Sequence, residues 1–203
     1  MGTYGFSRFL FIFGWRRLNL FWVLSFFGVV IVRVFCCFLG DAKALVAYSS
    51  VSHMNLLLLS FLGGSSMGKG AVVLLMVSHG LVSIFLFYLI GELYSYWGTR
   101  VVYHLSGLGV VFFSLSFLVI VGFMANSGIP PFLGLFSEIY CIGVLWGLSP
   151  YFVLFLGVYF FFTLYYCILL SINIVSGFSL MGVSSFIFYG GLSLFMGVFV
   201  VIL

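Results

Sequence analysis

Residues 139–203 contain no Asp, Glu, Lys, Arg or His, and across all 203 residues only 5% are charged while 65% are apolar. A water-soluble domain of this size carries about 25% charged residues, enough to coat its surface. Seven Lys and Arg with three Asp and Glu cannot do that, and 28 Phe call for an apolar solvent, which is lipid. The formal charge of +4 is spread thinly, with Arg16 and Arg17 the sole adjacent basic pair. Nucleic acid, which needs a clustered basic face, is therefore not an expected partner.

A helix crosses a bilayer with about 20 mostly apolar residues, and cutting the chain at its few polar or Gly/Pro-rich points yields pieces of that size. The alternation that membrane strands would need is absent. The expected fold is all-α, a polytopic membrane helix bundle forming a single membrane domain over 1–203. Its segments are 2–13, 18–39, 42–62, 70–94, 106–126, 131–147, 150–172 and 181–203. The first would rise only about 18 Å against a ~30 Å hydrocarbon core, so it reads as the tail of a longer helix. The loops, clearest at Gly14–Arg17, Gly40-Asp41, Gly63–Lys69, Ser95–His104 and Ser176–Ser179, are too short to hold a soluble domain. Arg16/Arg17, Lys43, Lys69 and Arg100 fall in successive loops, which leaves the orientation open. Arg8 interrupts the first apolar run, unlike a cleavable signal.

Motifs for cofactors are weak. Gly63-x4-Gly68-Lys69 matches most of a phosphate-binding loop, but Gly70 stands where a Ser or Thr would reach a metal, and no strand precedes it. Cys36, Cys37, Cys141 and Cys167 lie in apolar runs with no CxxC pair and read as small hydrophobes. No haem, dinucleotide or metal-spaced set occurs, so no cofactor is expected in this chain.

What remains is a sparse set of ionisable residues in or beside spans, each costing about 2.5–3.5 kcal/mol at a helix centre on insertion scales. Glu138 lies just past Asn126-Ser127-Gly128-Ile129-Pro130-Pro131. Two prolines break a helix there and free backbone carbonyls, which lipid cannot satisfy, so the break must face protein or a wet cavity. A carboxylate beside it can take and release protons. The rival reading is a surface loop with Glu138 one turn inside and ion-paired. In the helix opening at Asp41, Lys43, Ser50 and His53 fall within about 80° of one another and form a polar stripe able to line a water file. The plainer readings are a snorkelling Lys43 and a His53 satisfied by an interhelical hydrogen bond. His79 shares a face with Ser83 in the next span, beside Gly80, which would permit close helix approach. With an intrinsic pKa of about 6.5, its imidazole could pass protons, or it could simply pack. Glu92 and Arg100 read as interfacial anchors.

Taken in order, Thr3-Tyr4-Gly5-Phe6, Asp41-x-Lys43-x-Leu45-Val46-Ala47-Tyr48-Ser49-Ser50-Val51-Ser52-His53-Met54, Ser78-His79-Gly80-Leu81-Val82-Ser83 and Ile129-Pro130-Pro131 with Glu138 resemble the antiporter-like subunits of respiratory complex I. Within that superfamily the resemblance is to the C-terminal portion of the chain 4 branch of NADH-ubiquinone oxidoreductase, since chains 2 and 5 carry Lys where chain 4 carries Glu in the broken helix. The resemblance implies a mitochondrial inner-membrane location, or a bacterial plasma membrane, and proton translocation with NADH oxidation and quinone reduction in other subunits. NAD, FMN, iron-sulfur clusters and quinone would sit in those subunits. It implies that Glu138 exchanges protons at an exit half-channel, that His53 and His79 belong to a central hydrated axis, and that Lys43 flanks it. The implied partners are other membrane-arm subunits and lipid. The family's earlier helices have no counterpart here, and its central lysine would lie upstream of Met1, so either this is the C-terminal part of a split or fragmentary subunit or a partner chain supplying those helices is expected. Two alternatives stand: a multisubunit cation/proton antiporter component, and a non-catalytic membrane scaffold kept for assembly.

Overall fold

The computed structural model describes residues 19–105, 113–149 and 151–176, together with Gly5. The spans expected at 2–13 and 181–203, the beginning of the one at 106–126 and the Thr3-Tyr4-Gly5-Phe6 stretch as a whole fall outside the described residues. Those described form α1 (Asn19–Cys36), α2 (Ala42–Leu62), α3 (Ser66–Trp97), a short 3-10 turn (Val102–His104), α4 (Phe113–Asn126), α5 (Leu133–Leu148) and α6 (Tyr151–Ser176). The chain is an all-α membrane bundle. α2, α3 and α6 are each long and apolar enough to cross a membrane, and large apolar side chains such as Leu24, Ile31, Phe161 and Ile172 face outward. A helix apolar all round is suited to lipid rather than water.

Local chemistry sets the helix ends. Asp41 caps α2, its carboxylate accepting from the amides of Lys43 and Ala44 at 2.9 and 3.5 Å. The same residue pairs with Val101 in an isolated bridge, with Val102 N–H donating to the Gly40 carbonyl and Ala42 N–H to that of Arg100. This clip ties the α1–α2 turn to the end of α3. The loop expected over Gly63–Lys69 is shorter than the sequence suggests. Ser65 caps α3 by accepting from Gly68 N–H at 3.0 Å, so Lys69 lies in the helix's first turn and is no loop residue. Gly98, at φ +65, ends that helix.

α4 and α5 are the two halves of a discontinuous helix. At about 1.5 Å per residue the 16 residues of α5 fall short of a ~30 Å core, and α5 and the described part of α4 both pack along α3 and α6. The first half ends in a Schellman motif. Ile129 N–H donates to the Met124 carbonyl and Gly128 N–H to that of Ala125, with Gly128 at φ +69. Pro130 and Pro131 then offer no amide donors, and Phe132 N–H turns back onto the Ile129 carbonyl before α5 begins.

Two apolar clusters hold the bundle, and the polar residues lie between them. One gathers the ends of α1 and α3, the start of α2, α4 and the later part of α6, around Leu45, Phe85, Val119 and Leu170. The other gathers the end of α2, the start of α3, α5 and the earlier part of α6, around Leu57, Leu75, Leu145 and Leu156. Phe26 stacked on Phe155, ring centroids 3.9 Å apart, fixes α1 against α6. The close approach expected at Gly80 is not found, since a Cβ there would meet nothing within 4 Å. Close approach is found instead at Gly122, where a Cβ would come within 2.9 Å of Leu86, and at Gly28, where it would come within 2.7 Å of Asn55.

Gly128 is doubly constrained, by its left-handed backbone and because a Cβ would collide with the Glu138 carboxylate. Gly128→Ala should lower the stability of the detergent-solubilised protein by about 1–2 kcal/mol from backbone strain alone. Gly91→Ala, in an open helical position, should be neutral or stabilising by about 0.5–1 kcal/mol. Thermal midpoints of the two variants measure the difference.

Candidate functional site

The layer between the two apolar clusters draws one or more side chains from each of the six described α-helices. Arg33 comes from α1, His53 from α2, His79 from α3, Asn126 from the last turn of α4, Glu138 from α5, and Tyr159 and Tyr166 from α6. Arg33 is 0%, Glu138 2% and His53 5% exposed. His53 lies midway along α2 and His79 midway along α3, whose ring centroids are 5.4 Å apart. The broken helix delivers the remaining pieces. Its first half ends at Asn126, the Schellman turn puts Gly128 against the Glu138 carboxylate, and the second half presents Glu138 in its second turn.

Tyr159 is the hub. Its hydroxyl lies 2.8 Å from Arg33 Nη2, 3.3 Å from His53 Nδ1 and 3.4 Å from Glu138 Oε1. Arg33 Nη2 also lies 2.9 Å from His53 Nε2, while Nη1 donates to the Tyr166 hydroxyl. Asn126 Nδ2 donates to that same hydroxyl at 2.9 Å. The guanidinium carbon sits 4.7 Å from the Tyr159 ring centroid and 5.5 Å from that of Tyr166, within cation–π range. His53 Nδ1 and Glu138 Oε1 are 4.0 Å apart. Glu138 Oε2 and Arg33 Nε are buried without a hydrogen-bond partner.

That free carboxylate oxygen belongs to a residue lining a cavity of about 10 Å³, bounded also by His53, Ser78, His79, Asn126 and Gly134. This is room for roughly one water molecule. A carboxylate held on one oxygen and open on the other can gain a proton without breaking its anchor. Two imidazoles border the same space. Among the described residues no three His, Cys, Asp or Glu side chains gather as a metal ion would need.

Of the four residues singled out from the sequence, the structure brings Glu138, His53 and His79 together and leaves Lys43 apart. Lys43 is exposed near the capped end of α2, about 15 Å along the axis from His53. The stripe expected through Lys43, Ser50 and His53 is displaced: Ser49, Ser52 and His53 are buried, and Ser50 Oγ only donates to the Ala47 carbonyl of its own helix. The buried arc of α2 is centred away from Lys43, which lies at its edge. Ser83 likewise bonds back to the Gly80 carbonyl. Glu92 accepts from Tyr96 at 3.3 Å and Arg100 covers the Tyr94 ring at 5.0 Å, both at the end of α3 and outside the cluster.

Arg33, Tyr159 and Tyr166 were not anticipated. Arg33 had a signal, being a cation inside an apolar helix where each charge costs kilocalories. The two tyrosines, among 12 in the chain, had none.

Fold and site together define a membrane helix bundle organised around a buried ionisable cluster at a broken helix. The model of the NADH:quinone oxidoreductase/Mrp antiporter transmembrane family matches residues 1–163, and the chain belongs to that family. It is 38% identical over 180 residues to NADH-ubiquinone oxidoreductase chain 4 of Ascaris suum, and 36% identical over 177 residues to that of Caenorhabditis elegans. Each match takes in 87% of this chain and 43% of the relative, so the chain spans less than half their length. The fold is shared with a chain of respiratory complex I from Thermus thermophilus with bound NADH, at TM-score 0.88 and 22% identity over 99% of this chain and 43% of that one. A chain of the membrane-bound sulfane sulfur reductase, an archaeal respiratory membrane complex, matches at TM-score 0.84 and 21% identity, over 99% and 42%.

Tyr159→Phe removes the hydroxyl that joins Arg33, His53 and Glu138, and leaving buried polar groups unsatisfied should cost about 1–3 kcal/mol. Tyr151→Phe, at a residue 78% exposed, should stay within about 0.5 kcal/mol. Equal thermal midpoints for the two would contradict the role of the hub.

Proposed function

We propose that the chain is the proton-handling part of a chain 4-type subunit in the membrane arm of respiratory NADH:ubiquinone oxidoreductase, in the mitochondrial inner membrane. The observation that carries this reading is Glu138, buried beside a helix break and lining a small cavity bordered by His53 and His79, with one oxygen anchored by Tyr159 and the other without a hydrogen-bond partner. A proton arriving on Oε2 neutralises the carboxylate while Tyr159 still donates to Oε1. Its departure restores a negative charge that faces the permanent charge of Arg33 across the phenol. Gain and loss of a proton therefore change the electrostatics of the whole layer, at low effective dielectric, without large movement.

Electron transfer is assigned to other subunits, which hold NAD, FMN, iron-sulfur clusters and quinone; this chain moves protons alone. Its partners are further membrane-arm subunits, lipid, and the chain or segment carrying the rest of the length that the relatives possess. The relatives at 38% and 36% identity favour the oxidoreductase over a cation/proton antiporter. A scaffold without chemistry has no use for this layer, since well-packed apolar residues of similar volume are often as stabilising as a buried charged cluster, or more so.

The test is Glu138→Gln in the assembled complex, reconstituted in vesicles. Proton uptake per NADH oxidised should fall to the level of a pump-free control while the subunit still assembles, because an amide keeps the shape and loses the exchangeable charge. Lys43→Ala, remote from the layer, should retain most pumping. Undiminished pumping by the Gln variant would refute the role.

A further inference from the structure

Arg33 enters the proton-handling reading only as a counter-charge, yet its guanidinium also contacts the His53 ring directly. A guanidinium has donors only and stays protonated in proteins. With Nη2 at 2.9 Å from His53 Nε2, that nitrogen must be the acceptor, and in a neutral imidazole the proton then sits on Nδ1. The hub supports the same assignment independently. The Tyr159 hydroxyl has one proton and two lone pairs. One lone pair accepts from Arg33 at 2.8 Å, the proton goes to the acceptor-only Glu138 carboxylate at 3.4 Å, and the remaining lone pair is left for an N–H on His53 Nδ1 at 3.3 Å. Donation by Tyr159 to Nδ1 instead would need a proton on Nε2, aimed into the N–H of Arg33.

We propose that Arg33 is a positioning residue that locks His53 in its Nδ1–H tautomer and closes Nε2 to protons, so that His53 can relay a proton toward Glu138 only when the guanidinium leaves that nitrogen. The inference rests on the proton-handling reading above and adds its control element.

The relay balances as follows. A proton delivered by hydronium or by the imidazolium of His79 forms an N–H bond at the vacated Nε2. The Nδ1–H bond breaks and that proton passes to the Tyr159 oxygen. The original Tyr159 O–H proton passes to Glu138 Oε1, a second route of protonation beside the direct one at Oε2. The end state is an Nε2–H imidazole, an intact phenol and a neutral carboxylic acid, which leaves His53 facing Arg33 with an N–H against an N–H. Until the ring returns to its first tautomer Arg33 cannot reseat, so the relay carries one proton per departure of Arg33.

Release needs only a local swing. Nη1 remains on the Tyr166 hydroxyl, which Asn126 also holds, and the guanidinium stays against both tyrosine rings. The groups around His53 and its lock are then Arg33 from α1, His79 from α3, Asn126 from α4, Glu138 from α5, and Tyr159, Tyr166 and Cys167 from α6. None of the others donates to Nε2 in the described structure.

The experiment is nitrogen-15 magnetic resonance of histidine-labelled intact complex, with His53 assigned by its disappearance in His53→Gln. Wild type should show His53 neutral with a bare Nε2. In Arg33→Met, Nε2–H should become the major form, and vesicles holding that complex without NADH should dissipate an imposed pH gradient about tenfold faster, the change expected when one hydrogen bond to a charged donor is lost. A wild-type spectrum with protonated Nε2 overturns the lock whether or not any variant assembles. An unchanged tautomer in Arg33→Met overturns it too, and a shifted tautomer with unchanged leak overturns the control of proton flow. Normal pumping by Glu138→Gln would instead remove the underlying reading while the tautomer result stood on its own.

Discussion

A permanent positive charge sealed from bulk solvent is the constraint around which this bundle is organised. The Arg33 guanidinium cannot neutralise itself by losing a proton, as a buried lysine does. It must be satisfied by geometry, and three oxygen or nitrogen acceptors on two other helices do this, with two aromatic faces alongside. Its position in the last turn of α1 helps, because the carbonyl end of a helix favours a cation. The counter-charge is Glu138, reached through the Tyr159 hydroxyl. A direct pair would fix the carboxylate; the interposed phenol leaves one of its oxygens free for chemistry.

The broken helix follows from the same requirement. A continuous helix would place a side chain where Gly128 now lies and would fill the space the carboxylate occupies. Ending α4 in a left-handed glycine turns the backbone away, closes its last carbonyls internally, and starts α5 with Glu138 aimed at the α2–α6 junction. Backbone that is irregular at membrane depth is tolerated only where protein or water meets its polar groups. Here, among the described residues, it borders the layer rich in them.

How much of this was legible from the residues depended on whether a signal was local. α2 falls at 42–62 as the composition predicts, because Gly40-Asp41 and Gly63-Gly64 punctuate it on both sides. The break and its glutamate were legible because two adjacent prolines and an isolated acid stand out in apolar sequence. Arg33 escapes a reading that treats basic residues as loop charges, although it sits well inside an apolar run; the cost of burying a cation is its signal. Lys43 was misplaced for a different reason. Helical spacing groups it with His53, yet which arc of α2 turns inward is decided by neighbours on α1 and α3, and the sequence of α2 carries no trace of that choice. Tyr159 and Tyr166 are seven apart on α6 and lie on one face, but a helix with this many aromatics offers no means of telling a hydroxyl that is used from a ring that packs.

On the proposed reading, the layer lets proton affinity change without large movement of the helices. Tyr159 couples a fixed cation, a titratable ring and a titratable acid through a single hydroxyl, so the state of any one changes the hydrogen-bonding choices of the other two. A proton on Glu138 Oε2 removes the charge that balances Arg33, and the guanidinium then has less reason to stay at the phenol and the imidazole. Conversely, a second cation on His53 would stand against Arg33 and be driven toward the carboxylate. On the proposed reading, the direction of proton movement is set by which groups in the cluster are able to be charged together, and Arg33, unable to change its own charge, is the reference against which the others titrate.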